Sequence, residues 1–293
     1  MKIAIGTVQF GLEYGFPPNN YQVNTEEVHK ILDLSLNNNL KYIDTAFTYG
    51  NAEQKIGEFK KNKEFFIMTK SPVFSNKIIK KNDKNIVIKA FEQSLDRLKL
   101  NNCYALLIHH CDDLFKVNGN YLYEALKYLK EINKIKKIGV SLYNKNQIDK
   151  VMRLYDFDII QLPLNLYDQS LLMNGTLKKI KSKGIEIHAR SIFLQGLLLT
   201  SEKNWPSFFN DLKQHHQNTK KYFFDKNISI IEACVNFVYN IEEVDKLIIG
   251  VNSLEHLKEI LTVKKTKLSN LDFERFSVSK PHFINPQLWP QKQ

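Results

Sequence analysis

Apolar positions along this chain fall into two rhythms. Short, nearly unbroken runs read as strands buried on both faces, because alternation appears only where one face meets water. They are Ile3-Ala-Ile-Gly6, Lys41 to Asp44, Phe65-Phe66-Ile67-Met68-Thr69-Lys70, Tyr104-Ala105-Leu106-Leu107-Ile108-His109, Lys136 to Ser141, Phe157 to Leu162, Ile185 to Arg190 and Lys246-Leu-Ile-Ile-Gly250. Between them lie stretches with helical spacing. Asp83 to Leu98 places Val87, Phe91, Leu95 and Leu98 on one face, and Tyr121 to Asn133 does the same with Leu122, Leu126 and Leu129. Further helices are predicted from Thr25, as N-cap, to about Asn38, over about Ala52 to Phe59, Gln147 to Tyr155, Leu171 to Ser182 with a stop at Gly184, Ile228 to Tyr239, and Leu254 to Leu261. About 193–227 reads as a longer irregular insertion, and the proline-bearing tail, about 276–293, as non-helical.

Eight alternating strand–helix units in a chain of 293 residues predict one (β/α)8 barrel domain over 1–293. A doubly wound sheet is the competing architecture. It calls for a glycine-rich phosphate loop after an early strand, and no G-x-G-x-x-G or G-x-x-x-x-G-K loop is present.

Composition adds less. Hydrophobic residues make up 43%, enough for a full core, and no apolar run has the length of a membrane span. The opening Met1-Lys-Ile-Ala-Ile-Gly6 reads as a first strand rather than a signal peptide. Cys103, Cys111 and Cys234 supply no disulfide framework, which favours the cytoplasm. The net charge of +11 is spread as lysine along the helices, mixed with Glu and Asn, so it reads as a solvated surface and not a nucleic-acid interface.

Three successive predicted strands end in Asp44, Lys70 and His109, and Tyr49 follows the first on its loop. In a barrel, strand C-termini share one rim, where rigidly held polar groups can meet. A tyrosine is a poor acid with a reference pKa of about 10, and an ammonium beside it lowers that value. Asp44 would hold the lysine, and His109 would orient a carbonyl. Such a group suits protonation of an oxygen as charge develops on it. The hydride that completes a carbonyl reduction needs a nicotinamide cofactor. His109-His110-Cys111-Asp112-Asp113 has metal-binding residue types, but adjacent strand residues face opposite sides, so no metal is expected. His110 reads as a satisfied loop residue, His188 as structural, and Cys111 and Trp289 as candidates near the pocket. The loop Thr7 to Gly15, long and aromatic, reads as one cleft wall.

These residues resemble the aldo-keto reductase family over about residues 3 to 262. Tyr42-Ile43-Asp44-Thr45-Ala46 with Tyr49-Gly50 is similar to its first signature, so that Asp44, Tyr49, Lys70 and His109 fall on its catalytic Asp, Tyr, Lys and His. The resemblance implies hydride transfer from NADP(H), or less often NAD(H), to a small aldehyde or ketone, without metal, by a monomer or small homo-oligomer. It implies cofactor contacts from Ser141 and Gln161 to the carboxamide, Ser191, Gly196 and Leu197 along the pyrophosphate, and Gly250, Asn252 and Ser253, with Lys258, near the adenosine phosphate. Leu142 stands where the family commonly has Asn, and Ile192 where it has Pro. Gly6-Thr7-Val8-Gln9-Phe10-Gly11 with Tyr14-Gly15 resembles bacterial members encoded among surface-polysaccharide or nucleotide-sugar genes. Two alternatives stay open: a cofactor-binding auxiliary protein on the same fold, and a metal-dependent barrel lyase or isomerase.

Overall fold

A computed structural model describes residues 2–16, 21–263 and 272–290. Eight parallel strands close in sequence order into a barrel. They are β1 (Ile3–Gly6), β2 (Tyr42–Asp44), β3 (Phe66–Lys70), β4 (Cys103–Ile108), β5 (Ile135–Ser141), β6 (Ile159–Pro163), β7 (Glu186–Arg190) and β8 (Lys246–Gly250). The predicted (β/α)8 architecture is the observed one. β1 closes on β8 with Gly6 opposite Gly250, and on β2 with Gly6 opposite Asp44.

Period two along the strands separates two cores. The barrel interior is filled by Ala4, Met68, Ala105, Leu107, Ile159 and Ile248. The larger core lies between the sheet and the surrounding helices, and holds Ile43, Ile67, Leu106, Ile138 and Ile187 from the outward faces. Burial on both sides explains why the strands read as unbroken apolar runs.

Several boundaries differ from the sequence reading. The cap of the first long helix (Thr25–Asn37) is Asn24, whose side chain accepts from the Glu27 amide at 2.9 Å. Asn is the better cap than the Thr beside it. The helix expected over Leu171–Ser182 is two, Ser170–Met173 and Thr176–Lys181, broken at Gly175 with φ 74°. The insertion is more ordered than expected: it contains a helix over Asn210–Phe224, seated by Leu212, His216, Thr219 and Phe223. The tail makes short helical turns at Glu274–Phe276, Pro281–Ile284 and Pro286–Leu288; proline fits a first turn, where its missing N–H has no partner to lose. Residues 291–293 of the predicted tail lie outside the described residues.

Candidate active site

The C-terminal rim gathers all four residues read as a catalytic group. On β3, Lys70 points inward, and on β2 Asp44 ends the strand. Lys70 Nζ donates to Asp44 Oδ2 at 2.7 Å and to the Thr45 carbonyl at 2.8 Å, and both side chains are almost fully buried. The second Asp44 oxygen accepts from Gln161 Nε2 at 2.8 Å. The ammonium also lies 5.0 Å from the centre of the Tyr49 ring. The Tyr49 and His109 rings meet edge to face, 5.7 Å apart.

Tyr49 owes its position to backbone contact. Gly50 has φ 51°, and an added Cβ there would lie 2.3 Å from the Gly11 carbonyl. An added Cβ on Gly11 would fall 1.7 Å from the Tyr49 carbonyl. Two residues without side chains thus let the loop after β1 and the loop after β2 touch.

The electrostatics keep protons where they are. Burial, and then the Asp44 charge, push the Tyr49 hydroxyl well above its ordinary value. The lowering expected from Lys70 does not offset that rise: its hydrogen bonds go to Asp44 and Thr45, and its ammonium lies 5.0 Å from the ring centre. Burial pulls Lys70 down while the Asp44 charge opposes the change. Burial, followed by the Lys70 and Arg190 charges, holds His109 down at about 3, so its imidazole is neutral at pH 7. His109 Nδ1 and Thr48 Oγ1 lie 3.2 Å apart. A hydroxyl proton donated to Nδ1 leaves the ring proton on Nε2.

These groups line one cleft of about 600 Å³. The loop read as a cleft wall does line it, through Thr7, Val8, Gln9, Tyr14, Gly15 and Phe16. Its Phe16 amide donates to the Gln195 carbonyl at 2.7 Å, joining it to the loop after β7. Of the residues expected at a cofactor, Ser141, Gln161, Ser191, Gly196, Gly250 and Asn252 line the cleft. Leu197 is fully buried in the core, Ser253 caps the helix Leu254–Thr262 through the His256 amide, and Lys258 faces Glu255 at 3.9 Å; these three are not in the cleft wall. A dinucleotide fits what is present. At the β1–β8 junction the absence of a side chain on Gly250 lets the Gln9 amide pack against its backbone, and among the described residues the buried Gln9 Oε1 has no hydrogen-bond partner. After β7 the backbone turns left-handed at Ser191, Leu194, Gln195 and Gly196, a run of strain of the kind found around bound ligands.

A sequence model described as "Aldo/keto reductase family" matches residues 2–278. The chain belongs to the aldo/keto reductase family. Aldo-keto reductase YhdN of Bacillus subtilis (strain 168) is 24% identical over 208 residues, which cover 67% of this chain and 61% of YhdN. Oxidoreductase YdhF of Escherichia coli (strain K12) is 28% identical over 122 residues, 41% of this chain and 40% of YdhF. The chain therefore spans less than two thirds of either curated relative. An aldo-keto reductase from Bacillus halodurans, in a holo form, superposes with a TM-score of 0.74 at 18% identity, over 99% of this chain and 94% of that one. A thermostable aldo-keto reductase in complex with the inhibitor epalrestat gives 0.68 at 19% identity, over 94% and 93%. At those identities the likeness is one of fold, and the aldo/keto reductase barrel is that fold.

Other candidates fall outside the cleft. His188 is buried inside the barrel against Glu186 at 3.3 Å, a structural place. His110 faces Asp113 and Asp112 at 3.8 and 3.9 Å, and its pKa is raised, first by Asp113. Cys111 is buried, and desolvation pushes its thiol up, so it is held protonated. Among the described residues no group of three or more His, Cys, Asp or Glu is arranged to hold a metal ion, and no helix is long and apolar enough to cross a membrane. Trp289 packs edge to face on Phe16 and Phe209 and donates from Nε1 to the Phe283 carbonyl. The sequence reading missed Arg190 and Tyr143, which both line the cleft. A signal for Arg190 existed: like Lys70, it is a charge at the end of an apolar strand.

Proposed function

We propose that this chain transfers a hydride from a nicotinamide dinucleotide to the carbonyl of a small aldehyde or ketone, with Tyr49 as general acid. The observation that supports this most is the convergence of Asp44, Tyr49, Lys70 and His109 on one cleft within the family's barrel. The dinucleotide, when bound, supplies the hydride that reaches the carbonyl carbon. Ser141 and Gln161 would hold its carboxamide, with Ser191, Gly196, Gly250 and Asn252 along its length. His109, neutral, directs Nε2–H at the carbonyl oxygen. Tyr49 keeps its proton until that oxygen becomes anionic, then gives it up, so that an alcohol forms. The Lys70 ammonium stabilises the phenolate left behind, and Asp44 keeps the ammonium in place. Solvent returns the proton to Tyr49.

NADP(H) is the favoured cofactor and NAD(H) the weaker one, by a small margin, because Asn252 and His256 share that end of the cleft with Glu259. The substrate class favoured is a polar, sugar-like carbonyl compound of surface-polysaccharide or nucleotide-sugar metabolism, on the likeness of the Gly6–Gly11 segment. The chain acts as a single domain in the cytoplasm. The test combines fluorescence titration of both cofactors with turnover of an aldehyde panel, in the presence and absence of a chelator. Chelator-insensitive oxidation of the reduced cofactor, matched by alcohol formation, is expected. Tight cofactor binding without turnover of any carbonyl overturns the reading in favour of an auxiliary protein. Activity lost to chelation overturns it in favour of a metal enzyme.

A further inference from the structure

Arg190 ends β7 and its guanidinium lines the cleft. Among the described residues it has no carboxylate partner at ion-pair distance. Arg190 is partly buried, and taking a charge out of water without compensation is costly. It is also fixed. It stacks on the Tyr143 ring at 4.2 Å and donates to the Leu142 carbonyl at 3.2 Å and, at 3.4 Å, to Ser191 Oγ. A guanidinium has five N–H donors in a rigid fork. Those contacts use two of them, so the remainder are presented with their geometry already set.

The charges around it do not cancel. Asp44 and Lys70 neutralise each other, and the Tyr49, Tyr14 and His109 side chains are held uncharged by burial. Asp168 is buried and engaged by the Ser170 hydroxyl at 2.8 Å; burial raises its carboxyl and the Arg190 charge opposes the rise, so it lies within electrostatic range of Arg190 but forms no ion pair with it. Glu259 and His256 line the cleft near Asn252, on the segment after β8, whereas Arg190 leans on the loop after β5. The Arg190 charge acts on Tyr49, Tyr14 and His109, so it lies within electrostatic range of the place where a carbonyl would sit.

We infer that Arg190 is a specificity-determining residue that binds an anionic group on the substrate, so that the preferred carbonyl compound carries a carboxylate or phosphate close to the carbonyl. A planar fork held on an aromatic face suits two-point recognition of either anion. The inference rests on the reductase reading and names the substrate class for it.

The test compares matched substrates. Wild type, Arg190→Gln and Arg190→Lys would each be assayed with 4-oxobutanoate against 4-oxobutanamide, and with glyceraldehyde 3-phosphate against glyceraldehyde. Hydrogen bonds to a charged group correspond to about 10–100-fold in kcat/KM. Wild type is expected to prefer the anionic member of at least one pair by that factor, chiefly through KM. Arg190→Gln should abolish the preference, and Arg190→Lys should retain part of it, having charge without the fork. The pair showing the preference identifies carboxylate or phosphate. Equal loss for charged and neutral partners, or no preference in wild type, overturns the inference. So does a shift in cofactor Kd that accounts for the loss, since Arg190 would then serve the cofactor. Calorimetric titrations with succinate and with inorganic phosphate need no turnover: binding of either to wild type that is weakened in the substituted protein upholds the anion site even if reduction is never seen, and binding of neither overturns it. Thermal melts of both variants establish that they are folded.

Discussion

Thr69 and Lys70 are neighbours on β3, face opposite ways, and each meets a buried carboxylate. Lys70 points into the barrel and pairs with Asp44 at 2.7 Å. Thr69 points outward and donates to Glu53 Oε1 at 2.6 Å, while Arg97 holds the other Glu53 oxygen with Nε at 2.9 Å and Nη2 at 2.6 Å. Both carboxylates are nearly dry, with side chains 5% and 1% exposed, so burial alone does not tell a functional pair from a structural one. What differs is the surroundings. Glu53 is saturated and enclosed by the helix Ala52–Glu58, the helix Asp83–Leu98 and β3. Asp44 and Lys70 open onto a cleft that Tyr49 and His109 also line.

The contrast breaks most sharply at Tyr49. Tyr49→Phe keeps the ring and removes one hydroxyl, and loss of a general acid costs about 10²–10⁴ in rate. Single-turnover reduction of a reactive aldehyde, with cofactor Kd measured in parallel, should show that loss at unchanged affinity. A near-wild-type rate with chemistry limiting would pass the acid role to His109. Lys70→Met should lower kcat by at least about 10²-fold, on the low side of the same range. Its fold should persist, because Asp44 keeps the Gln161 amide; a variant with wild-type kcat and an unchanged pH–rate profile would separate Lys70 from the chemistry.

The outer pair should respond in stability and leave turnover unchanged. Arg97→Met leaves Glu53 buried with Thr69 as its remaining partner. Breaking a buried pair costs about 3–5 kcal/mol; with the Arg97 side 30% exposed, solvent reduces this to about 2–3 kcal/mol by urea unfolding. Thr69→Val removes one hydrogen bond to a charged oxygen and should cost about 1.5 kcal/mol. If either change lowered kcat more than Lys70→Met does, the division between the two pairs would fail. The smallest effect is a slope. His109 is held at about 3 in the folded chain against a reference of about 6.5, so the unfolded state takes up the proton first as pH falls. Its contribution to stability is complete above about pH 6.5 and is lost towards pH 3. His109→Gln should therefore show a shallower fall in unfolding free energy between pH 7 and pH 5 than wild type.

The barrel and the three strand-end residues Asp44, Lys70 and His109 were legible because they rest on local rules. Buried parallel strands are unbroken apolar runs, and a charge that terminates such a run must lie at a rim. The same rule applied to Ile185–Arg190 points to Arg190, but the Ser191 likeness drew the reading one residue along. Contacts between distant segments were not legible. Nothing local shows that Gly11 packs on the Tyr49 carbonyl, or that Lys70 gives one of its hydrogen bonds to the Thr45 carbonyl. The helix Asn210–Phe224 was missed because its polar sequence shows an apolar stripe only once Phe273 and Phe276 are known to cover Phe223.

The backbone contact between Gly11 and Gly50 limits how this cleft can be diversified. The segment from Thr7 to Phe16 is a natural target for mutant libraries aimed at new substrates, since six of its residues line the cleft. At position 11, however, any side chain would drive the Tyr49 carbonyl out of place, and variants there would lose turnover before selectivity could be observed. Sequence space at this wall is therefore uneven. Variation belongs at Tyr14 and Phe16, while grafted loops of other lengths must restore a glycine facing Gly50.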